Sequence, residues 1–250
     1  MNNIFFSFLL TIFAGLSTLI GYLIIFLKKR DHNKIIVSSL SFAAGVMVCT
    51  SICDLIPESI YLLKNNLSFL STILFSFGGI ILGIIISMII DYYVPDTYVS
   101  DNKALFRVGF LSMIAIIMHN VPEGIATFMA SNSNMKLGLS LAIAIAMHNI
   151  PEGISIAIPI YYSTGSKKKA FIYTLISALS EPVGALLAYL FLRRIVNDTL
   201  LGLLFSLIGG IMLEISFRVL LPNTKKYNDK LRVILFFMIG IVFMLLKFLL

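Results

Sequence analysis

The sequence Met-His-Asn-Val-Pro-Glu-Gly-Ile-Ala at residues 118–126 returns as Met-His-Asn-Ile-Pro-Glu-Gly-Ile-Ser at residues 147–155. Both copies lie in apolar runs that are long enough to cross the hydrocarbon core of a bilayer, which is about 30 Å thick. Because these runs are consecutive, the two copies point in opposite directions through the membrane, as in an inverted repeat. The duplicated motif therefore predicts a helical membrane protein with a polar centre.

The amino-acid composition supports a membrane protein. Of the 250 residues, 59% are hydrophobic and 12% are charged, whereas an ordinary soluble domain carries about a quarter charged residues. A soluble domain could not hide several apolar runs of about twenty residues each. The net charge of +7 comes from basic residues in short loops beside these runs, so it indicates topology and argues against nucleic acid as a partner.

The apolar runs predict eight transmembrane helices in a single transmembrane domain covering residues 1–250. The first run is too long for a signal peptide and lacks its flanking features. No polar break between the runs is long enough to hold a second domain. The predicted spans are approximately 4–27, 35–62, 68–94, 104–130, 136–160, 169–192, 199–222 and 231–250.

Lysine and arginine are distributed unevenly between alternate loops. The odd-numbered loops hold thirteen: Lys28, Lys29, Arg30, Lys34, Lys103, Arg107, Lys167, Lys168, Lys169, Lys225, Lys226, Lys230 and Arg232. The even-numbered loops and the C-terminus hold five: Lys64, Lys136, Arg193, Arg194 and Lys247. Since cytoplasmic loops are enriched in these residues, both termini are predicted to lie outside.

A weaker repeat links the second and seventh runs. Gly-x-Met at residues 45–47 and Leu-Ile-Pro at 55–57 match Gly-x-Met at 210–212 and Leu-Leu-Pro at 220–222. These runs are five spans apart, so this pair is inverted as well. The predicted fold is an all-α membrane protein with eight transmembrane helices in a 3+2+3 inverted-repeat arrangement, in which the fourth and fifth helices are central.

Each copy of the motif places its polar side chains on one face of a helix. His119 and Glu123 are four residues apart, and Asn120 and Glu123 are three apart, so all three share a face. His148, Asn149 and Glu152 repeat this spacing. If the two helices face each other, they offer imidazole and oxygen ligands suited to first-row divalent metals.

Proline and glycine shape both copies of the motif. Pro122 and Pro151 each remove one helical hydrogen bond, which is tolerated in a membrane where the backbone lines a cavity or is otherwise satisfied. Gly124 and Gly153 add flexibility and allow a close approach of another helix. Together these residues predict a kinked pair of helices around a polar pathway.

Glu181, in the sequence Ser-Glu-Pro-Val-Gly at residues 180–184, is a third carboxylate near the middle of its own span. Three carboxylates at one depth repel each other unless they are protonated or compensated by cations. Two divalent ions would supply this compensation. The sequence therefore predicts a binuclear metal site near the bilayer midplane, where secondary transporters bind their substrates.

The paired His-Asn-x-Pro-Glu-Gly sequences, the Ser-Glu-Pro-x-Gly segment and the eight-span hydropathy resemble the ZIP (ZRT/IRT-like) metal transporters, particularly the bacterial ZupT-like group. The resemblance covers essentially the whole chain. It implies uptake of zinc, and also of iron(II), manganese, cobalt or cadmium, through the cell membrane into the cytosol, with the metal as substrate and no catalytic cofactor.

The resemblance also implies two metal positions that share their carboxylates. One would use His119, Glu123, His148 and Glu152, and the neighbouring one Asn120, Glu123, Asn149, Glu152 and Glu181. Many relatives carry a long His-rich loop between the third and fourth spans, but residues 91–103 contain no histidine. Regulation through such a loop is therefore not expected.

Two other classes of function fit the residues less well. An intramembrane metalloprotease also uses His and Glu, but the HExxH pattern, with two histidines four residues apart, does not occur here. A structural or receptor-like protein that uses polar residues to join helices has no need of three midplane carboxylates. The oligomeric state stays open, with a homodimer as the candidate assembly.

Several residues outside the motif are expected to be structural. Glu214 and Arg218 are predicted to form an i,i+4 ion pair. Cys49 and Cys53 are one helical turn apart and are interpreted as packing residues without a disulfide. For the acidic residues near the outer end of the second span, Asp54 and Glu58, attraction of cations and simple solvation remain open.

Overall fold

A computed structural model describes residues 2–26, 31–93, 101–192 and 197–246, and all regular secondary structure in these ranges is helical. The α-helices are α1 (Asn2–Tyr22), α2 (His32–Thr50), α3 (Ile56–Lys64), α4 (Phe69–Tyr93), α5 (Asp101–Ser133), α6 (Met135–Thr164), α7 (Lys167–Leu187), α8 (Asp198–Glu214) and α9 (Lys230–Leu245). Three π-helical segments, Ser51–Leu55, Ala188–Leu192 and Ile215–Leu220, continue α2, α7 and α8. Short 3-10 helices occupy Leu23–Phe26 and Pro222–Tyr227.

Seven helical segments in the described ranges are long and apolar enough to cross a membrane: Ile4–Phe26, His32–Lys64, Phe69–Tyr93, Lys103–Ser133, Met135–Thr164, Lys167–Phe191 and Asp198–Tyr227. They match the first seven predicted spans, so the all-helical prediction is confirmed for the described residues, and the helices are compatible with a multi-pass membrane protein. The eighth predicted span corresponds to α9, with 16 residues. Residues 27, 94 and 247–250 at predicted span ends, and the loop cations Lys28, Lys29, Arg30, Arg193, Arg194 and Lys247, lie outside the described residues.

Polar side chains fix the helix starts near the membrane surfaces. At five helix starts, a capping side chain accepts a hydrogen bond from a backbone N–H of the first turn. This N–H has no acceptor within the helix itself. The hydrogen bonds from Lys34 also lower the pKa of the Asp31 carboxyl. The capping residues are Asp31, Asn134, Ser166, Asn197 and Asp229.

α2 and α8 change into a π-helix just before a proline, Pro57 or Pro222. In each segment the backbone carbonyl of a serine, Ser51 or Ser216, accepts a hydrogen bond from the backbone N–H five residues later, as is typical of a π-helix. Each serine hydroxyl also donates to the carbonyl of a methionine four residues earlier, at 2.8 Å. Proline has no N–H to donate, and in both helices the π-helical turn directly precedes it. The weak sequence repeat between these helices thus has the same local structure in both copies.

Glycines bring the central helices into backbone contact. A Cβ atom at any of four positions would overlap a carbonyl oxygen of the neighbouring helix, so only glycine allows this spacing. The close approach predicted at Gly124 and Gly153 is therefore confirmed. The contacts between α5 and α7 are Gly124 with the Glu181 carbonyl and Gly184 with Val121; those between α6 and α1 are Gly153 with Thr18 and Gly21 with Ile150.

The flanking helices pack in pairs through the same kind of contact. α2 lies against α9, and α4 lies against α8. In α2 and α9, Gly45 meets the Phe237 carbonyl and Gly240 meets the Phe42 carbonyl; in α8 and α4, Gly210 meets Ile80 and Gly83 meets Leu207. A central group of α1, α5, α6 and α7 is therefore flanked by two similar helix pairs.

Two sequence predictions concern the helices of the motif: the break between the fourth and fifth spans and the kink at the motif prolines. The predicted break at residues 131–136 is too long, because α5 and α6 are separated by Asn134 alone; the side-chain cap of Asn134 lets α6 begin at once. α5 and α6 continue as α-helix through Pro122 and Pro151. The predicted kink at these prolines stays a prediction.

Candidate metal-ion site

α5 and α6 form a hairpin with a connection of one residue. α5 ends at Ser133 and α6 begins at Met135. Between them, the side-chain oxygen of Asn134 accepts hydrogen bonds from the backbone N–H groups of Lys136 (3.0 Å) and Leu137 (3.3 Å). This short connection keeps the helices antiparallel and adjacent, so that residues of one motif can contact residues of the other.

The two copies of the motif pair with each other reciprocally. His119 Nε2 lies 2.9 Å from Glu152 Oε1, and His148 Nε2 lies 3.3 Å from Glu123 Oε1. All four side chains are buried, with at most 5% of any one exposed. Each motif therefore provides the imidazole for the other motif's carboxylate, and neither copy is complete alone.

The asparagines of the motif are held by the neighbouring helices. Asn149 Nδ2 donates to the Ala14 carbonyl of α1 and to Glu181 Oε2 of α7, both at 2.9 Å. Asn120 Nδ2 donates to the Ser177 carbonyl of α7 at 3.4 Å. Because the amide nitrogens are used for these bonds, the amide oxygens are left as acceptors, the kind of ligand that a divalent cation requires.

All seven predicted site residues are buried in this centre. Six of them form three direct side-chain pairs, His119–Glu152, His148–Glu123 and Asn149–Glu181. Asn120, the seventh, is bonded to the backbone of α7. Even with both imidazoles protonated, three ionised carboxylates would exceed the positive charge of the imidazoles, so the centre has the electrostatics of a cation site.

Several ligand-type atoms of this centre are buried without a hydrogen-bond partner in the described part of the chain. Buried polar atoms are normally satisfied, and a group of exceptions in one place needs an explanation. No group of three or more His, Cys, Asp or Glu side chains among the described residues is arranged around one metal position. The unpartnered atoms include Asn120 Oδ1, Asn149 Oδ1, Glu152 Oε2 and Glu181 Oε1.

The sequence did not single out the contribution of α1. The Ala14 carbonyl accepts from Asn149 and also from the Ser17 hydroxyl at 2.6 Å. A backbone carbonyl has no signature in a sequence. The available signal is the helical spacing of small buried polar residues on α1, Ser7, Thr11 and Thr18, which share one face.

A second group of charged side chains, of which Glu214 is buried, lies between α4, α5 and α8. Glu214 Oε1 is 3.7 Å from Arg218 Nε, which confirms the predicted ion pair. Glu214 Oε2 also accepts from the Ser87 hydroxyl at 2.5 Å. Nearby, Arg107 Nη2 lies 3.0 Å from Asp91 Oδ1. In this group, each acid therefore has its own arginine.

The other residues considered from the sequence lie on α2, on α3 and on the π-helix between them. Glu58 is exposed on α3, and Asp54 is half-buried in the π-helix that follows α2. Cys49 is buried and Cys53 is half-buried, and the described structure contains no disulfide between them.

Known proteins similar to this chain share one description. Residues 98–247 match the family model described as ZIP zinc transporter. A protein named zinc transporter ZupT from Clostridium perfringens is 38% identical and covers 100% of this chain and 97% of its own length. Proteins of the same name from Chlorobium chlorochromatii and Streptococcus mutans are 42% and 41% identical, each covering 91% of this chain, and 91% and 90% of their own lengths.

Proposed function

Because the chain belongs to the ZIP zinc transporter family, we propose that it takes up divalent transition-metal ions, zinc foremost, across the cell membrane into the cytosol. It is a transporter and not an enzyme. The observation that carries the proposal is the buried centre between α5, α6 and α7, in which two imidazoles and three carboxylates lie together within apolar helices. Intramembrane ionisable groups of this kind mark ion pathways.

The proposed substrate site has two metal positions that share Glu123 and Glu152. One position uses these carboxylates with the two histidines, His119 and His148. The reciprocal pairs support it, since each carboxylate is already within 3.3 Å of an imidazole nitrogen of the opposite helix. An ion that enters there would replace the His–Glu contact with bonds from itself to both partners.

The neighbouring position uses the same carboxylates with Asn120, Asn149 and Glu181. The Asn149–Glu181 hydrogen bond and the unpartnered amide oxygens support it. A metal that gives up its water in this centre gains oxygen ligands and neutralises the carboxylates. Iron(II), manganese, cobalt and cadmium are proposed as further substrates, because such sites discriminate by geometry and availability more than by ligand type.

The proposal includes a 3+2+3 inverted repeat with both termini outside. It is supported by the repeated glycine contacts of α5 with α7 and of α6 with α1, and by the two π-helices before proline. The distribution of lysine and arginine between alternate loops supports the orientation. A homodimer stays a prediction, which the mass of the purified protein in detergent would test.

Metal flux into liposomes tests the proposed function. The purified protein is reconstituted with a metal-sensitive dye inside, and influx of zinc, iron(II) and manganese is compared for the wild type, His119→Ala and Glu152→Ala. We expect metal-dependent signals in the wild type and their loss in both variants. Glu214→Gln, a buried acid outside the centre, is the matched control and should retain the flux. A folded wild type without flux would contradict the proposal.

A further inference from the structure

Thr18 on α1 occupies the position that corresponds to Glu181 on α7. Gly124 of α5 packs on the Glu181 carbonyl, and Gly153 of α6 packs on the Thr18 carbonyl. One turn earlier the correspondence continues, because the motif asparagines donate to the carbonyls four residues before Glu181 and four residues before Thr18. Each motif thus packs against an equivalent residue of a neighbouring helix, which is Glu181, a carboxylate, on α7 and Thr18, a hydroxyl, on α1.

The Thr18 hydroxyl is buried without a hydrogen-bond partner among the described residues. A helical threonine commonly donates to the carbonyl four residues earlier, as Thr11 does on the same helix at 3.2 Å. For Thr18 that carbonyl belongs to Ala14, which already accepts from Asn149 at 2.9 Å and from Ser17 at 2.6 Å. The same carbonyl also accepts the helical N–H of Thr18, so it is crowded with donors, and the Thr18 hydroxyl makes no bond to it.

The same correspondence indicates which motif residue lies on the Thr18 side. Glu181 accepts from Asn149 of α6, so the equivalent partner of Thr18 is Asn120 of α5. The Asn120 side-chain oxygen is also buried and has no partner in the described ranges. Threonine is two atoms shorter than glutamate, which leaves these two oxygen-bearing groups unbonded to each other.

We propose that Thr18 is a further residue of the metal pathway, whose hydroxyl binds a water molecule of the ion at the position that uses Asn120, Asn149 and Glu181. This inference rests on the proposed function. Glu181 offers a charged ligand to this position from α7, and Thr18 offers it a neutral hydrogen-bonding group from α1.

Thr18→Val tests the inference by removing the hydroxyl while keeping the shape of the side chain. Thr18→Ser keeps the hydroxyl, and Thr11→Val removes an equally buried hydroxyl from the same helix at a position outside the site. Zinc and manganese affinities are measured by equilibrium titration of the purified proteins, and initial influx is measured in liposomes. Thermal unfolding verifies that each variant is folded.

We expect Thr18→Val to weaken metal affinity about tenfold, in the range seen when a group that supports a metal ligand is removed. The loss should appear mainly as a higher KM for influx. Thr18→Ser should restore most of the affinity, and Thr11→Val should bind like the wild type.

Equal affinities for the wild type and Thr18→Val would overturn the inference and leave Thr18 as a packing residue. An equal loss in Thr18→Val and Thr11→Val would also overturn it, because the effect would then come from packing within α1. A wild type that binds no metal would instead refute the proposed function itself, which separates the two failures.

Discussion

The acids between α4, α5 and α8, Glu214 and Asp91, differ from those of the motif in how their charge is neutralised. Glu214 lies 3.7 Å from Arg218, and Asp91 lies 3.0 Å from Arg107. Arginine stays protonated under all ordinary conditions, so these carboxylates carry a permanent counter-charge. Ser87 adds a hydrogen bond to Glu214. Each acid of this group therefore has a counter-charge within the protein.

In the motif centre, by contrast, the described partners of the carboxylates are imidazoles and amides. Glu123 and Glu152 each contact a histidine, and Glu181 contacts Asn149. Such partners can give way to a metal ion, because a neutral imidazole or amide oxygen is itself a metal ligand. Glu214 is buried like the motif carboxylates, so burial does not distinguish the two groups. The kind of partner does: a carboxylate that binds a mobile cation has a replaceable partner, whereas one that stabilises the fold has a permanently charged partner.

The largest expected effect of a substitution is that of Glu152→Gln. It removes a carboxylate shared by both proposed metal positions and leaves His119 without its partner at 2.9 Å. We expect zinc influx to fall more than about 100-fold, beyond the 10–100-fold typical of residues that only support a ligand. Influx into liposomes measures the change, and retained influx would remove the distinction between the two groups of acids.

His119→Ala should have the next largest effect. The variant loses a single proposed ligand and keeps all three carboxylates, so we expect zinc affinity to fall about 100-fold, at the upper end of the range for residues that only support a ligand. Equilibrium titration gives this value, and His148→Ala should behave in the same way because its contact with Glu123 is equivalent. Unequal losses would show that the two copies of the motif contribute differently.

Arg218→Met should reduce stability without affecting transport. Glu214, whose side chain is 2% exposed, would lose its counter-charge, at a cost of about 1–3 kcal/mol in the free energy of unfolding. Unfolding in detergent measures the loss, and influx per folded molecule should stay within about twofold of the wild type. Adding Glu214→Gln should recover most of the stability; a double variant as unstable as Arg218→Met would contradict the pairing.

Arg107→Lys should have the smallest effect. Arg107 Nη2 contacts both the Asp91 carbonyl at 2.7 Å and Asp91 Oδ1 at 3.0 Å, and lysine keeps the charge but not the fork of the guanidinium. The pair is partly exposed, so we expect a loss of about 0.5–1 kcal/mol. Unfolding in detergent measures this loss of stability, and metal influx per folded molecule should be the same as in the wild type.

The parts of the site that the sequence predicted are those set by local spacing. His119, Asn120 and Glu123 are brought to one face by the helical repeat itself. The Glu214–Arg218 pair was predicted for the same reason, since its residues are one turn apart. Helical geometry needs no knowledge of the neighbours, so such predictions require only the correct secondary structure.

The parts that were missed depend on contacts between distant segments. Thr18 and the Ala14 carbonyl meet α6 more than a hundred residues further along the chain, and small apolar or hydroxyl residues give little sign of such a contact. The π-helices before Pro57 and Pro222 arise from a hydrogen-bond pattern rather than from a residue type. The sequence showed the repeat of these prolines but not the widened turn.

The one-residue connection at Asn134 has a consequence for how the chain enters the bilayer during synthesis. A lone α5 would expose His119, Asn120 and Glu123 to lipid, and each charged side chain at the centre of an inserting helix costs about 2.5–3.5 kcal/mol. α6 follows at once and brings the partners Glu152 and His148. We therefore expect the two helices to be inserted together as a hairpin, whose matched polar faces are hidden from lipid before the remaining helices assemble around them.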